Sequence, residues 1–258
     1  MTDLAKSRIL VTGGSAGLGL AMVEALTEHG ADVTALARDP QKFAAARATG
    51  AHTITGDATD EALIDRVVAE LDPDVLILNA GAHPHIAPID RQDWDGFSIL
   101  WNTDVKATFV GVNAALKTPM RPGSRVLIMS SGAAMVMSHP MIEPANLSLS
   151  SGYIGAKRMV WFMAHQANAV SRERGLGINF QALVPGQLIG GTALGHAVAA
   201  ACAEVEGCSV EEHILKRYGS HLLPSQIGRQ VAELLAEPLY EAGVAFGFRK
   251  DEDIMVLD

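Results

Sequence analysis

Arg8-Ile9-Leu10-Val11-Thr12-Gly13-Gly14-Ser15-Ala16-Gly17-Leu18-Gly19 is the stretch on which the fold turns. Arg8 to Val11 reads as a buried strand, the glycines as a tight turn, and a helix follows from about Ala16 to His29. Glycines permit the turn, let a backbone approach a pyrophosphate, and let the helix pack closely on the strand. The start of the helix then offers free N–H groups and the positive end of its dipole to phosphates. Glycine turns that bind nothing are common. What favours a nucleotide here is the position, between the first strand and the first helix of a βαβ unit.

Outward from this turn the chain keeps alternating. Val33 to Ala37 is the next strand, followed by a helix over about Pro40 to Ala48; Thr53 to Thr55 leads to a helix over Glu61 to Leu71. Val75 to Leu78 is aliphatic throughout, as a central parallel strand covered on both faces should be. One long helix is expected from Asp93 to Lys117, stopped by Pro119. The strand Arg125–Met129, a helix over Ser151–Arg174 and the strand Ile178–Val184, closed by Pro185-Gly186, complete the pattern. Strands alternating with helices imply parallel pairing and right-handed crossovers, hence one doubly wound α/β domain over residues 1–258.

Two connections are long. Residues 132–150 carry Met135, Met137, Pro140, Met141 and Pro144, and residues 188–224 hold two short helices, about Ala197–Glu206 and Val210–Tyr218. Both follow strands, so both belong at the carboxyl edge, where open α/β sheets bind ligands; the second is expected to be a substrate lid.

Composition narrows the function. The chain has 258 residues, 48% hydrophobic and 19% charged, which suits one well-buried globular core. Lys plus Arg number 20 against 29 Asp plus Glu, a formal net charge of -9, which argues against general nucleic-acid binding or a polybasic membrane patch. Two cysteines, Cys202 and Cys208, make neither a disulfide framework nor a zinc knuckle. His83 and His85 lack a carboxylate or cysteine cluster, so no metal is expected. No run approaches about 18 apolar residues and Met1 to Lys6 does not open a signal peptide, so a cytoplasmic protein is expected.

Further motifs stand in order along the chain: Asn79-Ala80-Gly81 after the fourth strand, Asn102 in the long helix, Ser130-Ser131 ending the fifth strand, Tyr153-Ile154-Gly155-Ala156-Lys157, and Pro185-Gly186. Together with Thr12-Gly13 and Gly17-Leu18-Gly19, this ordered set resembles the short-chain dehydrogenase/reductase family, in its single-domain branch, over essentially the whole chain. The resemblance implies a single doubly wound Rossmann domain with a mostly parallel seven-stranded sheet flanked by helices. It implies that cofactor contacts come from Gly13, Ser15, Gly17, Leu18, Gly19, Arg38, Asp57, Ala58, Asn79, Ala80, Gly81, Pro185, Gly186 and Leu188, with Tyr153 and Lys157. Catalysis would fall to Asn102, Ser131, Tyr153 and Lys157, with Ser130 the alternative serine; Asn102 would hold a water linking Lys157 to solvent. Relatives usually pair through their long helices, here Asp93–Lys117 and Ser151–Arg174, into dimers or tetramers. Two departures stand out: about ten extra residues precede Tyr153, and Thr192 arrives two positions later than the threonine that normally follows Pro-Gly.

The residues suit the chemistry on their own terms. Tyr153 and Lys157 are i and i+4, so they share a helix face. A phenol with a pKa of about 10 is mostly protonated near neutral pH, and a nearby ammonium favours its phenolate. Such a tyrosine can give a proton to a carbonyl oxygen or take one from an alcohol. Where an NAD enzyme carries an acid at the end of its second strand, this chain has Ala37 followed by Arg38, a planar fork of donors for a 2′-phosphate. NADP(H) is therefore expected, with NAD possible, and the resemblance implies that Asp57 contacts the adenine edge. The methionines suit a small, fairly apolar substrate. A 3-oxoacyl-carrier-protein reductase would want a basic docking patch, for which Lys216-Arg217 and Arg121 to Arg125 are sparse. A nucleotide sensor on this fold would commonly have lost the tyrosine or the lysine.

Overall fold

The structure, a computed structural model, describes residues 4–135, 147–219 and 221–258. Its strands are β1 (Arg8–Thr12), β2 (Asp32–Ala37), β3 (His52–Thr55), β4 (Val75–Leu78), β5 (Arg125–Met129), β6 (Asn179–Pro185), β7 (Ala245–Phe248) and β8 (Met255–Val256). They form one sheet in the order β3-β2-β1-β4-β5-β6-β7-β8, parallel throughout except for β8. The sheet thus has eight strands, not the expected seven. The charged stretch Arg249–Asp253 reverses the chain, with Asp251 at a φ of 56°, and Val256 and Met255 then pair with Phe246 and Gly247. The Asp258 carboxylate closes this corner by accepting from the backbone N–H of Val244 and Ala245 at 2.9 and 2.8 Å.

Helices cover both faces. On one, α1 (Gly17–Glu28) and α9 (Pro224–Ala236) bury Met22, Leu26, Ile227, Val231 and Leu234 against the sheet. A Cβ on Gly228 would lie 2.4 Å from the Ala21 carbonyl oxygen, so glycine is what lets these two helices touch backbone to backbone. On the other face, α3 (Glu61–Leu71), α5 (Lys106–Lys117) and α6 (Leu147–Glu173) bury Ile64, Val67, Val110, Ala114, Val160 and Ala164. A short α2 (Ala44–Ala48) follows β2.

The expected helix 93–117 is helical without a break from Trp94 to Lys117, but it is not α-helical throughout. It divides into α4 (Trp94–Leu100) and α5, separated by a wide π turn over Trp101–Val105 in which the Lys106 N–H reaches back five residues to the Trp101 carbonyl. Beyond β6, α7 (Ala193–Glu206) begins earlier than expected, because the Thr192 hydroxyl accepts from the Gly195 N–H at 3.0 Å and caps it. The next helix, α8 (Val210–Tyr218), opens with Ser209 and Glu212 in reciprocal capping contact.

One buried polar network ties the sheet to its far edge. Arg125 of β5 donates to Gln181 Oε1 at 2.8 Å and to the carbonyls of Leu234 and Tyr240 at 3.0 and 3.3 Å. Burial lowers its pKa to about 10. Among the described residues, no helix is long and apolar enough to cross a membrane. The strand order reverses between β1 and β4, which opens a crevice at their carboxyl ends.

Candidate active site

That crevice is a groove of about 2080 Å³, and every residue expected at the cofactor or the chemistry lines it. Its floor is the glycine turn. Gly13 and Gly17 adopt φ of 70° and 55°, open to glycine without strain. A Cβ on Gly19 would lie 2.1 Å from the Gly13 carbonyl oxygen, so the first turn of α1 could not otherwise close on the loop. Ala16 stands at the N-cap of α1 with no side chain able to cap it, and Gly17-Leu18-Gly19-Leu20 carries no acid. The first N–H groups are therefore left for an anion, which fits a pyrophosphate. The Thr192 methyl is 3.9 Å from where a Gly17 Cβ would be, so the late threonine still arrives over this turn.

Asn79 and Thr12 fasten the turn to the sheet. The Thr12 hydroxyl accepts from the N–H of Asn79 and of Ala80 at 3.0 and 3.1 Å, and the Asn79 amide donates to the Thr12 carbonyl at 3.1 Å. Asn79 thus shapes the floor with its side chain, beside Ala80 and Gly81.

At the far end of β2, Arg38 is exposed and lines the groove with Asp39 and Lys42. Asp39 spends one carboxylate oxygen on the Gln41 N–H at 2.9 Å, capping the short 3-10 turn Pro40–Phe43, and this turn brings in Lys42. Lys42 was not foreseen, although it lies four residues after Arg38. Asp57 lines the same end with Ala58. The Thr59 N–H bonds it at 2.8 Å, and this, with the Thr59 hydroxyl and the charges of Arg38 and Lys106, holds its carboxyl below the usual range despite some burial.

The chemistry sits where β5 meets α6. The Ser130 hydroxyl is buried and donates to the Lys157 carbonyl at 2.8 Å, whereas Ser131 is half-buried and accepts from the Ala133 N–H at 3.2 Å. Tyr153 is half-buried on α6, with the Lys157 ammonium 5.9 Å from its ring centre. Lys157 is buried, and its Nζ donates to Asp104 Oδ2 at 2.9 Å and to the Met129 carbonyl at 3.3 Å. Burial works against the ammonium, but the charges of Asp104 and Tyr153 and the Asp104 hydrogen bond outweigh it, so the Lys157 pKa lies above its ordinary value.

Asn102 lines the groove, but another residue of this helix meets Lys157. Asn102 is exposed and its amide turns back to the Ser98 hydroxyl at 3.2 Å, while Asp104, two residues on and 4% exposed, faces Lys157. The π turn is the cause, because it shifts which residue faces inward. Nothing in the sequence set Asp104 apart from Asp93 and Asp95 on the same helix.

Pro185, Gly186 and Leu188 close the groove on the β6 side, with Arg249 packed over Gly186. Residues 188–224 stand on them: Leu222 pairs with the 188–190 backbone, and the Gln187 amide donates to the Tyr218 carbonyl at 3.1 Å. Within this segment, Cys202 is buried and the buried His213 meets Glu206 at 2.9 Å. His83 lines the groove, and His85 lies against Gly96 at the start of α4. Trp161 packs on the second core layer while Phe162 is exposed. Met135 lines the groove; Met137, Pro140, Met141 and Pro144 lie outside the described residues.

Known proteins match this chain in sequence and in fold. The family profile described as short chain dehydrogenase matches residues 7–200. Gluconate 5-dehydrogenase of Gluconobacter oxydans is 33% identical over 156 residues, 55% of this chain and 59% of that protein, so the match spans little more than half of this relative. L-fucose dehydrogenase of Rattus norvegicus is 24% identical over 243 residues, covering 92% of this chain and 85% of the relative. A solved structure described as a blue fluorescent protein from a metagenomic library in complex with NADPH superposes with a TM-score of 0.72 at 22% identity, covering 95% of this chain and 97% of the other.

Proposed function

The chain belongs to the short-chain dehydrogenase family, and from that premise we propose that it is an NADP(H)-dependent oxidoreductase interconverting a carbonyl and a secondary alcohol on a small, fairly apolar substrate. The observation that carries this reading is the placement of Tyr153 and Lys157 on one face of α6, in the groove that starts at the glycine turn and is also lined by Ser131.

A bound nicotinamide would supply or accept the hydride. The protein supplies position and the proton. Ser131 donates a hydrogen bond to the substrate oxygen, and Tyr153 gives that oxygen its proton during reduction or removes it during oxidation. Lys157 stabilises the phenolate side of this exchange and holds the nicotinamide ribose hydroxyls. Gly13, Ser15, Gly17, Leu18 and Gly19 would hold the pyrophosphate of a bound cofactor, Arg38 and Lys42 its 2′-phosphate, and Asp57 and Ala58 its adenine. Residues 188–224 act as the substrate lid. The protein assembles as a homodimer or homotetramer through α4, α5 and α6, whose outer faces carry Trp94, Phe109 and Phe162 at 73%, 55% and 54% exposure.

The test is turnover of a panel of ketones and secondary alcohols, followed by cofactor absorbance. Tyr153→Phe should remove nearly all turnover and leave cofactor affinity almost unchanged. Because a general acid typically contributes about 10²–10⁴-fold, retention of more than about a tenth of the activity would sink the assignment.

A further inference from the structure

Asp104 is a buried carboxylate in the middle of the site, and its two oxygens face different donors. Oδ1 accepts from the Ala82 N–H at 2.8 Å and lies 3.0 Å from the Thr103 hydroxyl, while Oδ2 accepts from Lys157 at 2.9 Å. An amide has one accepting oxygen, so an asparagine here would point N–H at one of these donors; a carboxylate satisfies both. Space is made for it, since a Cβ on Gly81 would lie 2.7 Å from its oxygen.

We propose that Asp104 is a positioning residue of the proton-transfer site, fixing the Lys157 ammonium in place and offsetting part of the charge that Lys157 presents to Tyr153. The proposal rests on the reading of Tyr153 as the proton carrier. An ammonium has three donors. Asp104 and the Met129 carbonyl take two, which leaves one N–H for the ribose or the phenol. Among the described residues, the Ala82 N–H and the Thr103 hydroxyl meet Asp104, the Met129 carbonyl meets Lys157, and the ammonium lies 5.9 Å from the Tyr153 ring centre. Tyr153 and Asp104 are the two charges that act on Lys157 most strongly.

Two measurements test this. Alcohol oxidation needs the phenolate. In Asp104→Asn the ammonium is no longer offset, the phenolate is favoured, and the rise of kcat/KM with pH should move down by about one pH unit. A limb that stays in place or moves up overturns the proposal. The second measurement involves no turnover: a double-mutant cycle on the Kd for the tighter of NADPH and NADH. Asp104→Ala should weaken binding at least about tenfold in the wild-type chain and less than about twofold in a Lys157→Met chain, because its effect runs through Lys157. An Asp104 that merely braces the Ala82 loop would weaken binding equally in both backgrounds, and that result overturns the proposal. Should Asp104→Ala fail to fold alone, the double variant, which leaves no buried charge unpaired, should fold; a double variant that also fails overturns it. If no carbonyl or alcohol is turned over, the oxidoreductase reading fails, and the binding cycle still decides Asp104.

Discussion

The hydroxyl of Ser130 is bonded to the main-chain carbonyl of Lys157, 27 residues away in sequence and 2.8 Å away in space. This contact clamps the end of β5 to the turn of α6 that carries Lys157, so Ser130 has already used its proton. Ser131 accepts a hydrogen bond and keeps its own O–H to donate. Ser131→Ala is therefore expected to lower kcat by about 10²-fold or more with little change in Tm. Ser130→Ala should lower stability by about 1–2 kcal/mol and leave kcat within a few-fold. Thermal melts beside steady-state kinetics separate the two, and the reverse pattern would exchange the roles.

Cofactor choice is set at the end of β2. An Ala37→Asp, Arg38→Leu chain should turn an NADPH preference into an NADH preference, since the new acid accepts from a ribose hydroxyl and repels a 2′-phosphate. Lys42→Ala should reduce kcat/KM with NADPH by about three- to tenfold and barely touch NADH. Equal wild-type values for the two cofactors would refute the role given to Arg38.

Assembly can be read by sedimentation. Phe109 and Phe162 lie exposed on α5 and α6. Placing a glutamate at both should dissociate the oligomer while the monomer keeps its helical signal, because a charge that must be buried without a partner opposes association. A wild-type chain that sediments as a monomer at working concentration would remove the premise.

The Arg125 network lends itself to a stability test. Arg125→Ala withdraws donors from Gln181 and from the Leu234 and Tyr240 carbonyls in the interior. A loss of about 3 kcal/mol is expected, measured by denaturant midpoint.

What the sequence made legible was whatever depends on local spacing. The glycine turn announces itself because the positive φ of Gly13 and Gly17 and the clearance of Gly19 from the Gly13 carbonyl are demands within the turn, and Tyr153 and Lys157 are joined by a single helical turn. Asp104 was hidden because its facing depends on a wide turn that no spacing rule reveals, so the neighbouring asparagine drew the assignment. Lys42 was missed because a 3-10 turn, capped by Asp39, carries it into the groove. Strand β8 escaped because two residues have no periodicity to read; their pairing rests on Phe246 and Gly247, ten and eight residues back in the chain.

The π turn at Trp101–Val105 also bears on how this site tolerates changes in chain length. Such a turn holds one residue more than the helices on either side of it. Loss of a single codon there would let the backbone close as ordinary helix, and α4 and α5 would run on as one rod. Each residue of an α-helix turns by about 100°, so Asp104 and the outer face of α4 could no longer both keep their present directions. Most surface segments absorb a one-residue deletion as a shorter loop. Here the same deletion would leave sheet, core and glycine turn standing, yet take the carboxylate away from Lys157.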